Sequence, residues 1–304
     1  PLSKHAKPGD SLGHGNLGYT VPAEFRKKLF HEKGKLCAAR ENDDINPNLE
    51  SDASQFYLVM GSVKTMEDME KYPMNGDASH DFAASMIPHH KAAVDMALHD
   101  LQARRYGVPI CDLFGGPAVR EFASLRILPI KTPEKMAANA RKLVNEGVRH
   151  LKIKVHGNVQ EDVACVAAVR EEVGKDIHLT IDANQSYTVK NAITAINAMT
   201  PFNIELAEQP VPASDLIGLK KVTDSVSIPV EADEAAHSLD QVALIVKERA
   251  ADAVSLKIAK LGGLRKTYAA AKICEAGGVK YRMGAHSGPR LLAAHGSQLA
   301  AALP

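Results

Sequence analysis

The sequence predicts an α/β fold for residues 122–304, a TIM barrel of the (β/α)7β type in which parallel strands alternate with helices. Short apolar runs alternate there with amphipathic stretches rich in Ala, Lys and Glu. Three consecutive runs end in an acidic residue, Asp182, Glu208 and Asp233, and the gaps of 26 and 25 residues match one strand-plus-helix unit. Seven such runs favour a barrel over an open, doubly wound sheet, which is the alternative.

Each predicted strand is a short run in which apolar residues dominate, as in a parallel sheet covered by helices. The stretches between them, such as TPEKMAANARKLVNEG, repeat apolar residues at helical spacing. No eighth strand follows the last helical stretch, so the barrel is expected to be incomplete at its C-terminus or closed by the N-terminal part. The predicted strands are SLRILPI (124–130), HLKIKV (150–155), IHLTID (177–182), NIELAE (203–208), IPVEAD (228–233), AVSLKI (253–258) and KYRMGA (280–285).

Composition narrows the classes of function. A chain of 304 residues can hold one barrel and a smaller unit, and a net charge of +1 gives no support for binding nucleic acid or a membrane surface. No apolar run approaches the ~20 residues of a membrane-spanning helix, and no signal-like apolar core opens the chain. The four cysteines form no CxxC pair and are expected to be reduced thiols of a cytoplasmic protein.

The ends of the predicted strands define a candidate metal site. The carboxyl ends of parallel strands meet at the edge where (β/α) barrels build their active sites. Asp182, Glu208 and Asp233 would offer oxygen ligands there, which suit a hard cation such as Mg²⁺. Glu231 and Glu234 flank the third acid and are expected to point elsewhere, with Glu231 as the alternative ligand.

Lysines lie on both sides of the three acids. Lys152 and Lys154 alternate within LKIKV, so both side chains face the same way, and two lysines inside a barrel are costly in a purely structural role. Lys257 follows the last acid by 24 residues. A lysine on each side of a metal suits removal of a proton next to a carboxylate, because nearby cations lower the lysine pKa. Lys260 and Lys266 are predicted to be surface charges.

These motifs resemble those of the enolase superfamily, in its muconate-lactonizing branch, which includes muconate cycloisomerases, o-succinylbenzoate synthases, N-acylamino acid racemases and dipeptide epimerases. The resemblance covers roughly residues 92–304 and implies a barrel preceded by a capping domain. We therefore divide the chain into an atypical N-terminal region (1–91), a linking helix (92–121) and the barrel (122–304). The matching motifs are K-x-K, D-x-N, E-Q-P, A-D-E, the late lysine and the lead-in AAVDMALHDLQARRYGVPICDLFGG (92–116).

The resemblance implies a role for each residue of the set. The three acids would bind Mg²⁺, with Mn²⁺ as a substitute. Lys154 and Lys257 would act as acid and base on opposite faces of the substrate, and Lys152 would help to neutralise its carboxylate. Asn184 and Gln209 are expected just outside the metal ligands.

Two residues near the seventh predicted strand are candidate substrate contacts. In a related branch a histidine at the position of His286 is the base, but it relies on an aspartate where this chain has Lys257. A substrate contact is therefore expected for His286. Arg290 could hold an anionic substrate tail, and it could equally be a solvated helix residue.

The implied reaction is Mg²⁺-dependent removal of the proton α to a carboxylate, through an enediolate. The first expectation is an isomerase that racemises or epimerises an amino-acid derivative or dipeptide. The alternative on the same site is a cycloisomerase or a dehydratase, hence a lyase, acting on a muconate, o-succinylbenzoate or acid-sugar substrate. Relatives are commonly oligomers, so a homo-oligomer that binds a small carboxylate is expected.

Residues 1–91 do not show the pattern of a capping domain. They are rich in Gly, Lys, His and Asn without three alternating strands, so a mainly helical or irregular region is expected in place of an α+β cap. The segment 56–97 resembles small Met/His-rich helical domains with an M-I-P-H-H signature. It supports a third hypothesis for the function, a non-catalytic protein that binds a soft metal ion through Met86, His89 and His90. The simpler alternative is an ordinary helix with core methionines and surface histidines. The two resemblances meet at AAVDMA (92–97), which suggests a composite sequence.

Overall fold

A computed structural model describes most of the chain. It divides into two compact units, Pro1–His90 and Lys91–Pro304. The model describes the backbone of residues 11–14, 20–22, 36–38, 56–58, 78–284 and 290–304, and the side chains from His89 onward within those ranges.

The first unit contains short antiparallel strands. β1 (Ser11–His14) pairs with β2 (Thr20–Pro22), and β3 (Leu36–Ala38) pairs with β4 (Phe56–Leu58). The sequence predicts a mainly helical or irregular region here, and that prediction is wrong for these four segments. These segments do not recur at the regular spacing by which the sequence reveals the strands of the parallel sheet.

Strands and helices alternate from Leu125 to Ala301. The helix α1 (Ala78–Tyr106) and a 3₁₀ turn (Ile110–Phe114) come before them. In chain order the elements are β5 Leu125–Leu128, α2 Pro133–Asn145, β6 His150–Lys154, α3 Val159–Val173, β7 His178–Asp182, α4 Val189–Met199, β8 Ile204–Glu208, α5 Leu216–Ser225, β9 Val230–Ala232, α6 Leu239–Glu248, β10 Ala253–Leu256, α7 Ile258–Leu261, α8 Leu264–Gly277, β11 Lys280–Met283 and α9 Arg290–Ala301.

Polar caps fix where several of these helices begin. The side chains of Asn158, Thr188, Asp215 and Ser238 each accept a hydrogen bond from the backbone N–H three residues on. Such a cap satisfies an N–H group that the first helical turn leaves unpaired. The loops after β6, β7, β8 and β9 therefore end at a defined residue.

The seven strands β5 to β11 form one parallel sheet whose order is the order of the chain. The seven predicted strands and their parallel arrangement are confirmed. Lys154 pairs in register with Asp182, and Asp182 with Glu208. Because neighbouring strands run in the same direction and in this register, the charged residues at their carboxyl ends lie in a row.

The sheet curls around an interior. A cavity of about 330 Å³ near the strand starts is lined by Leu125 of β5 and Arg282 of β11, together with His150, His178 and Leu206 of the strands between. The first and the last strand border the same cavity, so the two edges of the sheet face a common space. Leu151 and Ile153 alternate with the lysines of β6 and are fully buried.

The helix α1 packs on the second unit from Lys91 onward. Ala92, Met96 and Ala103 are buried, at a spacing that places them on one face of the helix. Asp95 accepts a hydrogen bond from the backbone N–H of Leu264, at the start of α8. A carboxylate interacts favourably with the positive end of a helix dipole, so this hydrogen bond holds the middle of α1 against the start of α8.

Three cysteines, Cys111, Cys165 and Cys274, are buried free thiols, whereas the side chain of Cys37 lies outside the described residues. In the part of the chain that the structure describes, no helix combines the length and apolarity that crossing a bilayer requires.

Candidate active site

Six charged residues lie on five neighbouring strands, near their carboxyl ends or just beyond them. Lys152 and Lys154 lie on β6, and Asp182 and Glu208 are the last residues of β7 and β8. Asp233 and Lys257 follow the ends of β9 and β10. Chain order and sheet order coincide, so residues far apart in sequence become neighbours at one end of the sheet.

Lys152 bridges two of the acids. Its Nζ donates to Asp182 Oδ2 at 3.0 Å and to Glu208 Oε2 at 2.7 Å. All three side chains are almost fully shielded from solvent. Burial alone would lower the pKa of Lys152, but the two carboxylates outweigh it and raise that pKa. The two carboxylates therefore favour the charged form of Lys152.

Lys154 pairs with the same oxygen of Asp182. Its Nζ donates to Asp182 Oδ2 at 2.6 Å and to the side-chain oxygen of Asn184. Asn184 in turn donates from Nδ2 to Glu234 Oε1 at 3.0 Å. Strand alternation predicts that Glu234 points away from the acids, but β9 ends at Ala232 and the alternation ends with it. Asn184 thus connects Lys154 to Glu234.

Asp233 is held by two lysines. Lys257 Nζ donates to Oδ2, and Lys260 Nζ donates to Oδ1 at 2.7 Å and to Ser255 O at 2.9 Å. Burial works to raise the pKa of Asp233, but the Lys260 and Lys257 ammoniums hold it well below its usual range. The prediction that Lys260 lies on the surface is wrong. Three residues after Lys257, at the turn into α7, it comes back to the same side of the chain.

Gln209 joins the end of β8 to the chain after β9. Its Oε1 accepts hydrogen bonds from the backbone N–H groups of Asp233 at 2.8 Å and Ala235 at 3.0 Å, and its Nε2 donates to Val211 O at 2.9 Å. The side chain is fully buried, and its backbone φ is 36°. Gln209 fixes the backbone from which Asp233 projects.

Two further charged residues of the interior lie beside the predicted acids: Arg282, which was not predicted, and Glu231, which was predicted only as the alternative ligand. Arg282 of β11 donates from Nε to both oxygens of Glu231 at 2.9 Å, and its Nη2 donates to Glu231 Oε2 at 2.6 Å and to Glu208 Oε2. Glu231 is expected to point elsewhere, yet it is fully buried beside Glu208. Glu231 pairs in register with Glu208 on the neighbouring strand, so the two side chains face the same side of the sheet. Both residues lie inside predicted buried strands, and a charged residue in such a strand is the sequence feature that could have identified them.

Glu208 has unusual electrostatics. Burial, and next the charge of Glu231, raise its pKa to about 7, while Arg282 and Lys152 act in the opposite direction. Its Oε1 is buried and has no hydrogen-bond partner among the described residues. An unpaired buried carboxylate oxygen is costly unless a cation or donor reaches it.

The carboxylates are separated by ammonium groups. Within the described residues, no three acidic, histidine or cysteine side chains form a ready-made metal-binding group. The reason lies in the contacts above: Lys152 stands between Asp182 and Glu208, and two lysines contact Asp233. The donor atoms suit a hard cation, whereas their arrangement is that of an ion-pair network.

The two predicted substrate contacts, His286 and Arg290, stay predictions. His286 falls within residues 285–289, outside the described residues. Arg290 is the first residue of α9 and is exposed. Exposure agrees both with a contact to an anionic substrate tail and with a solvated helix residue.

The Met/His-rich segment is described only in part. His89 is exposed, His90 is half-buried and Met96 packs in the core, while the side chain of Met86 lies outside the described residues. Met96 therefore behaves as a core methionine, and the soft-metal reading of the remaining residues stays a prediction.

Two family models match the chain. One, described as enolase C-terminal domain-like, matches residues 135–304, and the other, the N-terminal domain of mandelate racemase / muconate lactonizing enzyme, matches residues 64–115. The chain therefore belongs to the enolase C-terminal domain-like family. The N-terminal match overlaps the segment 56–97 that resembles a Met/His-rich family, and the composite sequence stays a hypothesis.

The relatives include epimerases and racemases. A hydrophobic dipeptide epimerase of Enterococcus faecalis is 37% identical over 215 residues, which are 70% of this chain and 60% of the relative. An N-succinyl-L-Arg/Lys racemase of Bacillus cereus is 35% identical over 216 residues, 70% of this chain and 58% of that protein. This chain thus spans less than two thirds of the length of both curated relatives.

Solved structures show the same fold. The crystal structure of the Enterococcus faecalis dipeptide epimerase, complexed with Mg and the dipeptide L-Leu-L-Tyr, superposes with a TM-score of 0.69 at 32% identity. The superposition covers 81% of this chain and 72% of the epimerase.

Proposed function

We propose that this protein is a Mg²⁺-dependent racemase or epimerase that removes and returns the proton α to the carboxylate of an amino-acid derivative or dipeptide. One observation carries the proposal. Lys154 on β6 and Lys257 after β10 lie four strands apart in a curled sheet, and the strands between them carry the three acids. Family membership supports the reaction class, and the relatives support the class of substrate.

The acids of this row are the proposed Mg²⁺ ligands. Asp182, Glu208 and Asp233 offer only oxygen donors, which Mg²⁺ prefers and Mn²⁺ also accepts. The buried, unpartnered Oε1 of Glu208 fits a cation, since no described donor satisfies it. When bound, Mg²⁺ would supply positive charge that stabilises the negative charge developing on the substrate carboxylate.

The two outer lysines are the proposed acid and base. Their side chains are 24% exposed for Lys154 and 14% exposed for Lys257, so a substrate can reach both. A neutral amine at Lys154 would take the α-proton from one face, while the Lys257 ammonium returns a proton to the other face. The roles exchange for the opposite enantiomer. Asn184 and Asp182 hold the Lys154 amine in place.

The charge of the interior favours an anionic substrate. Lys152 stays charged between two acids and would lie near the substrate carboxylate. Arg290, at the start of α9, and His286 are proposed to contact the remainder of the substrate. The paired side chains comprise five cations, Lys152, Lys154, Lys257, Lys260 and Arg282, and four carboxylates, Asp182, Glu208, Glu231 and Asp233. Glu234, which Asn184 connects to Lys154, balances the fifth cation, so the attraction for an anionic substrate comes from Lys152 itself.

The curled sheet is proposed to close into a (β/α) barrel. Ile127 of β5 pairs in register with Lys152, so its side chain faces the same interior, yet it is 52% exposed. An apolar side chain directed inward is normally covered, and a further strand beside β5 would cover it. The assignment of residues 1–91 to a cap, and assembly into a homo-oligomer, are parts of the same proposal.

Deuterium exchange at the α-carbon tests the reaction. The full chain, with Mg²⁺ in D₂O, would be incubated with both enantiomers of N-acylamino acids and with dipeptides. Lys154→Ala should stop exchange of one enantiomer, and Lys257→Ala that of the other, because each lysine serves one face. Racemisation should be lost in both variants.

The exposed Lys266 of α8 provides the matched control, since Lys266→Ala removes a lysine that does not belong to the network of paired charges. Its exchange rates should equal those of the unaltered protein. Exchange that persists in both site variants, or a cyclised or eliminated product without exchange, would overturn the proposed reaction.

A further inference from the structure

Arg282 reaches across the interior to the strand that carries Glu208. It lies on β11, three strands from β8 in the sheet, and its Nη2 still donates to Glu208 Oε2. The guanidinium is largely buried, with 26% of its side chain exposed. Arg282 is neither a proposed Mg²⁺ ligand nor a proposed acid or base.

Glu231 sets the orientation of this guanidinium. Both Glu231 oxygens accept from Arg282 Nε at 2.9 Å, and Oε2 also accepts from Nη2 at 2.6 Å. Because Arg282 contacts both oxygens, Glu231 is poorly placed to act as the alternative metal ligand. A forked pair of this kind fixes the plane of the guanidinium as well as its position.

The contacts to Glu208 fall on one of its two oxygens. Lys152 and Arg282 both donate to Oε2, while Oε1 is buried without a described partner. The two cations approach from β6 and β11, on either side of β8 in the sheet. Rotation of the carboxylate would break both bonds, so its orientation is fixed.

We propose that Arg282, held by Glu231, is a positioning residue that fixes the Glu208 carboxylate with Oε1 presented to the metal. The proposal rests on the metal-binding part of the proposed function. Groups that orient a metal ligand in this way change metal affinity when they are removed, typically by 10–100-fold.

A double substitution separates positioning from charge. Arg282→Met with Glu231→Met removes one positive and one negative charge, so the net charge of the interior is unchanged. It also leaves no buried partner unpaired, which Arg282→Met alone would do. Mn²⁺ affinity of the full chain would be measured by electron paramagnetic resonance, with thermal unfolding as the check on folding.

The double variant should unfold cooperatively and bind Mn²⁺ at least about 10-fold more weakly. Its exchange activity at saturating Mn²⁺ should recover at least in part, because the lysines are intact. Arg265→Met, at an exposed arginine of α8, is the control and should bind like the unaltered protein. A double variant with unchanged Mn²⁺ affinity would show that the pair serves only structure, and would overturn the proposal.

Arg282→Lys keeps the test decisive if the double variant does not fold. A lysine retains the charge but cannot contact Glu231 and Glu208 as a fork. It should weaken Mn²⁺ binding as well, and normal affinity would refute the positioning role. Failure of the unaltered protein to bind Mn²⁺ is a distinct outcome, since it would overturn the metal site itself.

Discussion

Gln209 shows how one side chain can support a site without facing a substrate. Its amide oxygen accepts from two backbone N–H groups, those of Asp233 and Ala235, and its amide nitrogen donates to Val211 O. Every bond is buried. A single amide therefore satisfies three backbone groups at the place where the third proposed ligand leaves its strand.

Gln209→Leu should lower the free energy of unfolding by roughly 2–4 kcal/mol. Leucine fills a similar volume but leaves two buried N–H groups without an acceptor, and each costs on the order of 1–3 kcal/mol. Urea unfolding measures the loss. Gln160→Leu, at an exposed position of α3, is the control and should change stability by less than about 0.5 kcal/mol. Equal effects at the two sites would refute the role given to Gln209.

Single residues were predictable where they recur at the end of a repeated unit. Asp182, Glu208 and Asp233 end successive apolar runs, and the structure places them at neighbouring strand ends. Lys260 and Arg282 have no such repeat. Their positions depend on a short helical turn and on the curl of the sheet, which bring together residues that no local spacing relates.

Two loops at the carboxyl end of the sheet are fastened to each other by Asp162. Its carboxylate accepts from the backbone N–H groups of His156 at 3.1 Å and Gly157 at 3.0 Å, in the loop after β6, and from Tyr187 OH at 2.6 Å, in the loop after β7. Burial, and next this hydrogen bond, raise the pKa of Tyr187, so its hydroxyl remains a donor. The loops follow the strands that carry Lys154 and Asp182.

Gly157→Ala should disturb both loops. At Gly157 φ is +96°, and an added Cβ would lie 2.7 Å from Ser186 O in the facing loop. Gly147 has a nearly equal φ of +93° but open space around it, so Gly147→Ala incurs the backbone strain alone. The first substitution should cost roughly 1–3 kcal/mol more than the second, because neighbouring backbone must move.

Urea unfolding of both variants, together with α-proton exchange, checks this expectation. Exchange should slow in Gly157→Ala, since the shifted loops follow the strands carrying Lys154 and Asp182, and should be unchanged in Gly147→Ala. Equal losses of stability would mean that the contact between the loops is unimportant.

Elements were predictable where they recur at regular spacing along the chain. The seven strands of the parallel sheet stand between amphipathic helices and were all found from apolar runs. The strands β1 to β4 contain three or four residues each, and no regular recurrence in the sequence marks them. Their pairing depends on partners elsewhere in the chain, which a local pattern does not contain.

At the scale of the whole chain, the proposed metal would join segments that are distant in sequence. Asp182, Glu208 and Asp233 belong to three consecutive strand-and-helix units, and the sheet alone brings them to one end. A cation bound to all three would bind the folded sheet and not the unfolded chain. Such a ligand stabilises the folded state in proportion to the logarithm of its concentration over its dissociation constant.

Mg²⁺ should therefore raise the melting temperature of the chain. At about 100 times the dissociation constant the stabilisation is about 2.7 kcal/mol, which for a unit of this size corresponds to roughly 5–10 °C. Differential scanning calorimetry in Mg²⁺ and in a chelator measures the shift. Asp182→Asn with Glu208→Gln should abolish it, and Asp176→Asn, at an exposed aspartate just before β7, should retain it. A shift of equal size in all three proteins would place the cation away from these strand ends, and the acids would then serve only to pair with the lysines around them.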